Sequence, residues 1–325
     1  MPQQLSLADG VRFLGARDDR FKTARVSVSL LVPLSEETAS VYAILPFLLR
    51  RSCAAYPDFT ALNRRLNELY GARIMADVSR VGESQALMLV ASSIDSRFAL
   101  QGEDVAAHCA ELLCSMLFEP AFENGLFRAG DVEQEKRCLA ELIQSEINEK
   151  RWYARHQCEK LLCQGEAYAV SRYGTLEKVL ALTPEDITRG WKQMLQEARV
   201  QLMVQGSGNG QGVADTFRRE FESRGGRQPV LCTIIHDFDI SEPRTQVDRM
   251  DVNQSKLVMG FRTTVAEPQE QVAAMRLLNA LWGGTPYSLL FRNVREKMSL
   301  CYYCQSSYDR HKGVLLVDSG VEAAK

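Results

Sequence analysis

The order of elements predicted for the first part of this chain recurs in its last part. Val26, Val28, Leu30 and Val32 alternate with the small residues Ser27 and Ser29, which is the period of a strand with one buried face. Residues Leu257 to Phe261 form a second strand of this kind. Each strand is followed by two helical patterns and then a β-hairpin. This repetition predicts an α+β fold of two homologous domains, each an antiparallel sheet covered on one face by helices.

The first copy has regular periodicity throughout. Apolar residues recur at helical spacing from Ser35 to about Arg51, and a second helix extends from an N-cap at Asp58 to a terminating glycine at Gly71. The remaining predicted elements are hairpin strands over 73–78 and 85–92, helices over about 103–118, about 131–163 and from 184, and a strand over 200–205.

Glycine-rich and polar segments mark the predicted domain boundary. Glycines are concentrated in 206–212, and residues 224–228 are polar. We therefore predict a first domain over 1–205, a linker region over 206–232 and a second domain over 233–325. The second copy stops straight after its hairpin, so we expect it to be truncated at its C-terminus.

Charge and hydropathy argue against nucleic-acid and membrane partners. The formal net charge is -2, which gives no net attraction to phosphate backbones or anionic lipid. The pair Arg50 and Arg51 is interpreted as a solvated helix edge. The N-terminus lacks the pattern of a signal peptide, and no window approaches the roughly 18 apolar residues that span a bilayer. A cytoplasmic location is expected.

No motif for a cofactor or a metal is complete. The 206–212 stretch lacks the GxGxxG spacing of a nucleotide-binding loop and is interpreted as a linker turn. The nine cysteines, an odd number, are interpreted as buried thiols without disulfides. Cys301 and Cys304 form a single CxxC, and residues three apart in a strand face opposite ways. We therefore predict no metal site and no cofactor.

Several segments resemble one known family over nearly the whole chain. Residues 282–302 read WGGTPYSLLFRNVREKMSLCY, which is similar to the signature GG...S.LF..VREK.GL.Y of the pitrilysin/insulinase (M16-type) zinc peptidases. Residues 45–52 (LPFLLRRS), 173–175 (YGT) and 182–186 (LTPED) also resemble family segments. The resemblance implies a LuxS/MPP-like metallohydrolase fold whose two homologous halves enclose a chamber for unfolded peptides.

The zinc site of that family is degenerate here. The family carries HxxEH on its first helix, with two zinc-binding histidines and a glutamate that activates water. The flanking residues place Ala43, Pro46 and Phe47 at these positions. The third ligand is a glutamate seven residues after another glutamate, and counting from Glu135 gives Leu142, beside Glu141. We therefore predict no zinc site, and we interpret the acidic residues of this helix, Glu133 included, as a solvated face.

Two residues match the family's peptide-holding groups in its second half. The resemblance implies that Arg295 and Tyr302 face the zinc site across the chamber and bind the peptide carbonyl, as guanidinium and phenol donors can. The alternative is that Arg295 pairs with Glu296 and that Tyr302 packs in the sheet.

These observations favour a catalytically inactive subunit. We expect it to pair with an HxxEH-bearing homologue into a heterodimer that encloses unfolded peptide, with Arg295 and Tyr302 as candidate contributions. Segments 69–72 (LYGA) and 148–154 (NEKRWYA) particularly resemble a bacterial, non-catalytic branch linked by name to aminopentanol modification of elongation factor P. The alternatives are a stand-alone peptide-binding or scaffolding protein, a homodimer, and an enzyme of unrelated mechanism.

Overall fold

The structure, a computed structural model, describes residues 3–207, 210–232, 234–235 and 242–322. Gly208 and Asn209 of the glycine stretch therefore lie outside the described residues. The fold is α+β, as the sequence predicts. The chain forms two compact units: unit 1 comprises residues 1–80, 84–140 and 172–232, and unit 2 comprises residues 81–83, 141–171 and 233–325.

The elements are numbered in chain order. The strands are β1 (Gln3–Ala8), β2 (Val11–Arg17), β3 (Thr23–Pro33), β4 (Arg73–Val81), β5 (Ser84–Ile94), β6 (Phe122–Glu123), β7 (Leu126–Phe127), β8 (Arg199–Gly206), β9 (Gln254–Arg262), β10 (Cys301–Asp309) and β11 (Val314–Glu322). The helices are α1 (Ala39–Leu49), α2 (Phe59–Glu68), α3 (Val105–Phe118), α4 (Ala129–Asn148), α5 (Lys150–Leu162), α6 (Leu176–Ala181), α7 (Pro184–Glu197), α8 (Gly210–Arg224) and α9 (Val272–Asn279). Short π-helical segments cover Ala280–Gly284 and Phe291–Lys297.

Unit 1 is built on a six-stranded sheet in the order β1-β2-β8-β3-β5-β4. Helices α1 and α3 pack on β5, and α8 packs on α3 and on the β1–β2 pair. Val26, Val28 and Leu30 on one face of β3 are each at most 1% exposed, as the alternation of β3 predicts. This sheet and its helices position α1 and α4, where the degenerate site lies.

The sheet of unit 1 departs from the expected all-antiparallel arrangement. Strand β8 lies between β2 and β3, antiparallel to β3 and parallel to β2. Because β2 and β3 run in opposite directions, a strand inserted between them must run parallel to one of the two. The strands β1 and β2 were not predicted from the sequence.

The helical segments also differ from the predicted boundaries. The helix expected over about 131–163 is interrupted at Glu149, which caps α5 by accepting a hydrogen bond from the backbone N–H of Arg151 at 3.1 Å. Part of the segment interpreted as a linker, 206–232, forms α8 and packs within unit 1. Residues 141–171, placed in the first domain by the sequence, cluster with unit 2.

Unit 2 contains a three-stranded antiparallel sheet in the order β10-β11-β9. Helix α5 packs on β9, where Gly260 leaves room for Cys158 and Leu162. Asp318 of β11 is fully buried, and Arg151 and Arg155 of α5 both pair with it. Paired buried charges compensate their lost hydration only when hydrogen bonds of this kind are present, and here they fix α5 on the sheet.

A second buried ion cluster lies at the β10–β11 turn of unit 2. The ammonium group of Lys312 is fully buried between the carboxylates of Glu83 and Glu166, and Arg262 also pairs with Glu166. Burial alone raises the pKa of Glu166, but its hydrogen bonds from Arg262 and Lys312 lower it below the usual range. The cluster therefore holds β9, the turn and the segment after α5 together.

Candidate functional site

The positions that the sequence resemblance assigns to the zinc motif lie on α1. The helix follows a turn in which Ser35 and Thr38 share a hydrogen bond of 2.9 Å. Ala43 is fully buried, Pro46 is buried within the helix, and Phe47 is half-buried. None of these three side chains has a lone pair for a metal or a group that moves a proton, so α1 cannot take the family's zinc.

The position expected for the family's third zinc ligand lies on α4. Glu135, the first glutamate of the expected pair, is only 5% exposed. Leu142 is half-buried and Glu141 is exposed. The interpretation of an acidic solvated face is therefore correct for Glu133 and Glu141 but wrong for Glu135.

Glu135 is buried because Arg51 binds it. The Arg51 guanidinium donates to Glu135 Oε1 at 2.8 Å, to Asp131 Oδ1 at 3.1 Å and to Gln134 Oε1 at 2.9 Å. Burial alone lowers the pKa of Arg51, but the bond to Glu135 and the nearby carboxylates raise it above its ordinary value. We call these four residues the Arg51 cluster. The expectation of a solvated Arg50–Arg51 pair is thus wrong for Arg51, because residues 80 and more positions away along the chain bind it.

No metal-binding group replaces the lost motif in the described parts of the chain. Throughout residues 3–207, 210–232, 234–235 and 242–322, no three His, Cys, Asp or Glu side chains are arranged to hold a metal ion. The same residues include no helix long and apolar enough to cross a bilayer.

A cleft opens in unit 1 beside the Arg51 cluster. Its volume is about 680 Å³, within the range of about 300–1,000 Å³ typical of ligand pockets. It is lined by the end of α1, by α2, by β4 and by the first turns of α4. The polar and apolar lining residues are Arg50, Arg51, Ser52, Pro57, Asp58, Phe59, Leu62, Asn63, Leu66, Ile74, Arg128, Asp131, Gln134 and Glu135. Because these residues come from segments far apart in the chain, no local pattern in the sequence predicts the cleft.

Arg295 and Tyr302 lie in unit 2, both accessible to solvent. Arg295 pairs with Glu296 at 3.3 Å, and its guanidinium carbon lies 4.5 Å from the centre of the Phe291 ring. The Tyr302 side chain is 57% exposed and donates its hydroxyl hydrogen to Glu322 at 3.1 Å. Arg295 therefore forms the pair named in the alternative interpretation, whereas Tyr302 projects from the sheet and does not pack within it.

The CxxC segment has an unexpected local geometry. The pairing of β10 with β11 shifts register between Cys301 and Tyr303, so the alternation of faces is broken there. Cys301 consequently lies within hydrogen-bonding reach of Cys304, whose pKa is raised by burial and by this neighbour. Tyr302 is the residue at the shift.

The cysteines are mostly, but not uniformly, shielded. All nine are free, and five are buried: Cys53, Cys109, Cys114, Cys163 and Cys304. Cys138 is exposed on α4, so the interpretation of buried thiols is wrong for this residue. It faces solvent because the buried stripe of α4 passes through its neighbour Leu139 instead.

Comparisons with known proteins agree with this geometry. Residues 181–325 match the family model described as the Peptidase M16 inactive domain. The Bacillus subtilis (strain 168) protein named "Probable inactive metalloprotease YmfF" is 29% identical over 306 residues, which cover 94% of this chain and 72% of that protein.

Solved structures share the fold. A conserved protein from Enterococcus faecalis V583 superposes with a TM-score of 0.85 at 27% identity, over 98% of this chain and 75% of that one. A peptidase M16 inactive domain from Pseudomonas fluorescens gives a TM-score of 0.78 at 16% identity, over 99% of this chain and 75% of that one. The second likeness concerns the fold alone.

Proposed function

Because this chain belongs to the M16 peptidase family as an inactive homologue, we propose that it is the non-catalytic partner of an HxxEH-bearing homologue. The two chains together hold an unfolded peptide, and the zinc and its water-activating glutamate come from the other chain. The observation that carries the proposal is the state of α1, which keeps its place in the fold while Ala43, Pro46 and Phe47 offer no metal ligand.

The exposure of Arg295 and Tyr302 supports a contribution to the partner's site. A phenol that is 57% exposed is accessible to a bound peptide, and its only hydrogen bond among the described residues is the 3.1 Å bond to Glu322. A hydroxyl in this position can donate to a carbonyl oxygen as negative charge develops on it. Tyr302 is therefore the residue on which we test the proposal.

The first experiment asks whether the pair forms. The chain is co-expressed with the HxxEH-bearing homologue from the same organism. The complex is isolated by a tag on one chain, and its mass is measured by sedimentation. We expect a stable one-to-one complex that cleaves an unstructured peptide, whereas this chain alone does not. Two separate species in sedimentation would contradict the proposal and favour a stand-alone peptide-binding protein.

The second experiment tests Tyr302 in that complex. Tyr302→Phe removes one hydroxyl donor, and loss of an oxyanion donor typically costs about 2.7–4 kcal/mol, or roughly a hundred- to a thousand-fold in kcat. Tyr287→Phe is the matched control, because Tyr287 is 87% exposed and makes no hydrogen bond with the described residues. Equal turnover of wild type and both variants would remove Tyr302 from the reaction.

A further inference from the structure

The charges in the cleft of unit 1 are unevenly paired. Its three carboxylates are all occupied: Asp131 and Glu135 bind Arg51, and Asp58 accepts a hydrogen bond from the backbone N–H of Ala61 at 2.8 Å as the cap of α2. Asp131 and Glu135 are therefore already bound to a guanidinium group, whereas Asp58 has a backbone donor.

Two guanidinium groups of the cleft are not paired with a carboxylate among the described residues. Arg50 is exposed at the end of α1 and makes no ion pair with the described residues; its guanidinium carbon lies 5.9 Å from the centre of the Phe47 ring. Arg128 donates to the backbone carbonyl of Pro57 at 2.6 Å, and it has no carboxylate partner in the described part of the chain. The lining carries three guanidinium groups and three carboxylates, so it has no net charge, but Arg50 and Arg128 are not paired with a carboxylate and can donate hydrogen bonds to an anionic group of a ligand.

Part of the remaining wall of the cleft is apolar, and Ser52 and Asn63 also line it. Leu62 and Leu66 of α2 and Ile74 of β4 line it, and Phe59 at its rim is 77% exposed. An exposed aromatic ring over an apolar wall is typical of a surface that gains stability by covering apolar side chains. A ligand of matching chemistry carries a bulky apolar group beside its negative charge.

We propose that this cleft binds an extended peptide segment in which an acidic side chain lies next to a bulky apolar one. Arg50 and Arg128 bind the carboxylate, and Phe59 and Leu66 cover the apolar side chain. The inference names a peptide class for the proposed function and rests on it only in taking the ligand to be a peptide. The cleft gives this chain its own preference among peptide sequences, and it lies in unit 1, where the sequence predicts that the zinc ligands are lost.

The probes are three amidated peptides that differ in one residue. Each carries fluorescein and the sequence Ser-Ser-Leu-X-Leu-Ser-Ser, where X is Glu, Gln or Lys. Binding to the full 325-residue chain is measured by fluorescence anisotropy. At about 0.05 M salt we expect the Glu peptide to bind about five-fold more tightly than the Gln peptide, as one partly exposed ion pair allows, and the Lys peptide most weakly.

Charge reversal at Arg50 supplies the decisive variant. Arg50→Glu should invert the order, so that the Lys peptide binds more tightly than the Glu peptide. Arg64→Glu is the matched control, because Arg64 is exposed on the neighbouring helix α2 but does not line the cleft. It makes the same change in net charge and should leave the order of the peptides unchanged.

The apolar wall is tested separately. Phe59→Ala should weaken all three peptides by about ten-fold, because part of an aromatic side chain is no longer covered. Leu100→Ala, at a residue that is 89% exposed and outside the cleft, should change none of them. Both side chains are largely in solvent, so neither change is expected to unfold unit 1.

The proposal is overturned if the three peptides bind equally, if none binds, or if Arg64→Glu inverts the order as Arg50→Glu does. The titration uses this chain alone, whereas the partnership in the proposed function is tested by sedimentation of the complex, which needs no peptide. A chain that forms the complex but shows no preference among the peptides would refute the cleft alone, and the reverse result would refute the partnership alone.

Discussion

At the scale of single residues, Asp95 shows how a buried charge is stabilised in this fold. It is fully buried after β5 and accepts hydrogen bonds from the backbone N–H of Ser207 at 2.7 Å and from the Ser207 hydroxyl. The backbone N–H of Arg97 also donates to it, at 3.1 Å. Burial alone raises the pKa of Asp95, but these donors lower it below the ordinary value.

The first prediction concerns the pH dependence of this group. Because its folded pKa lies below the unfolded value of about 3.9, Asp95 stabilises the fold above that value, and the stabilisation is lost as the pH falls through the folded pKa. Asp95→Asn should lower the free energy of unfolding by about 1–3 kcal/mol near neutral pH, and by less below about pH 3. Urea unfolding at the two pH values measures the difference. Asp77→Asn, at an exposed position on β4, is the control, and an equal loss at both pH values would contradict the role assigned to ionised Asp95.

At the scale of secondary-structure elements, we expect that exchanging side chains on α1 alone does not restore the zinc site. We predict that Ala43→His, Pro46→Glu and Phe47→His together bind no zinc, because Leu142 stands where the third protein ligand belongs and a catalytic zinc needs three. Ala43 is fully buried, so an imidazole there overpacks the core and should cost about 1–3 kcal/mol.

Zinc titration calorimetry and urea unfolding test the triple variant together. Phe47→His alone is the control, since Phe47 is only half-buried and its replacement should destabilise the fold less. Binding near one zinc per chain, or peptide cleavage that a chelator stops, would show that Glu141 occupies the ligand position after all.

The elements also show what the sequence can and cannot predict here. The patterns of β3, α1, α3 and the β4–β5 hairpin depend on neighbours along the chain, so periodicity predicted them. The insertion of β8 between β2 and β3 depends on pairing across some 180 residues of chain, which periodicity does not report. Arg50 and Arg51 show the same limit of prediction from local sequence. Arg50 is exposed, whereas Arg51 is bound by Glu135 of α4, which is distant along the chain.

At the scale of the whole molecule, unit 2 has a large uncovered apolar surface. Leu257, Met259 and Phe261 of β9 are 41–51% exposed, and Leu277 and Leu281 are about 60% exposed. Strand β9 pairs with β11 on one edge only among the described residues. In unit 1 the equivalent strand β3 is paired on both edges and its apolar face is buried.

This surface leads to a prediction about the isolated chain. An apolar face next to an open strand edge promotes association, so we expect the 325-residue chain to bind a hydrophobic dye and to self-associate as its concentration rises. Replacing Leu257 and Met259 with Gln should reduce both, whereas Leu100→Gln, at another exposed apolar position in unit 1, should not. Dye fluorescence and sedimentation at several concentrations measure the two effects. Unchanged dye binding in the double variant would show that the dye binds to a different surface of the chain.

The Arg51 cluster changes how two helices of unit 1 are joined. In the zinc-bearing members that the sequence resembles, coordination bonds connect the helix that corresponds to α1 with a later helix. Here a guanidinium group connects α1 to α4 through Asp131, Gln134 and Glu135. Coordination bonds resist salt and yield to chelators, whereas an ion pair that is partly open to water is weakened by salt and indifferent to chelators. We therefore expect the attachment of α1 to α4 in this chain to weaken as the ionic strength rises and to stay unchanged when zinc is scarce.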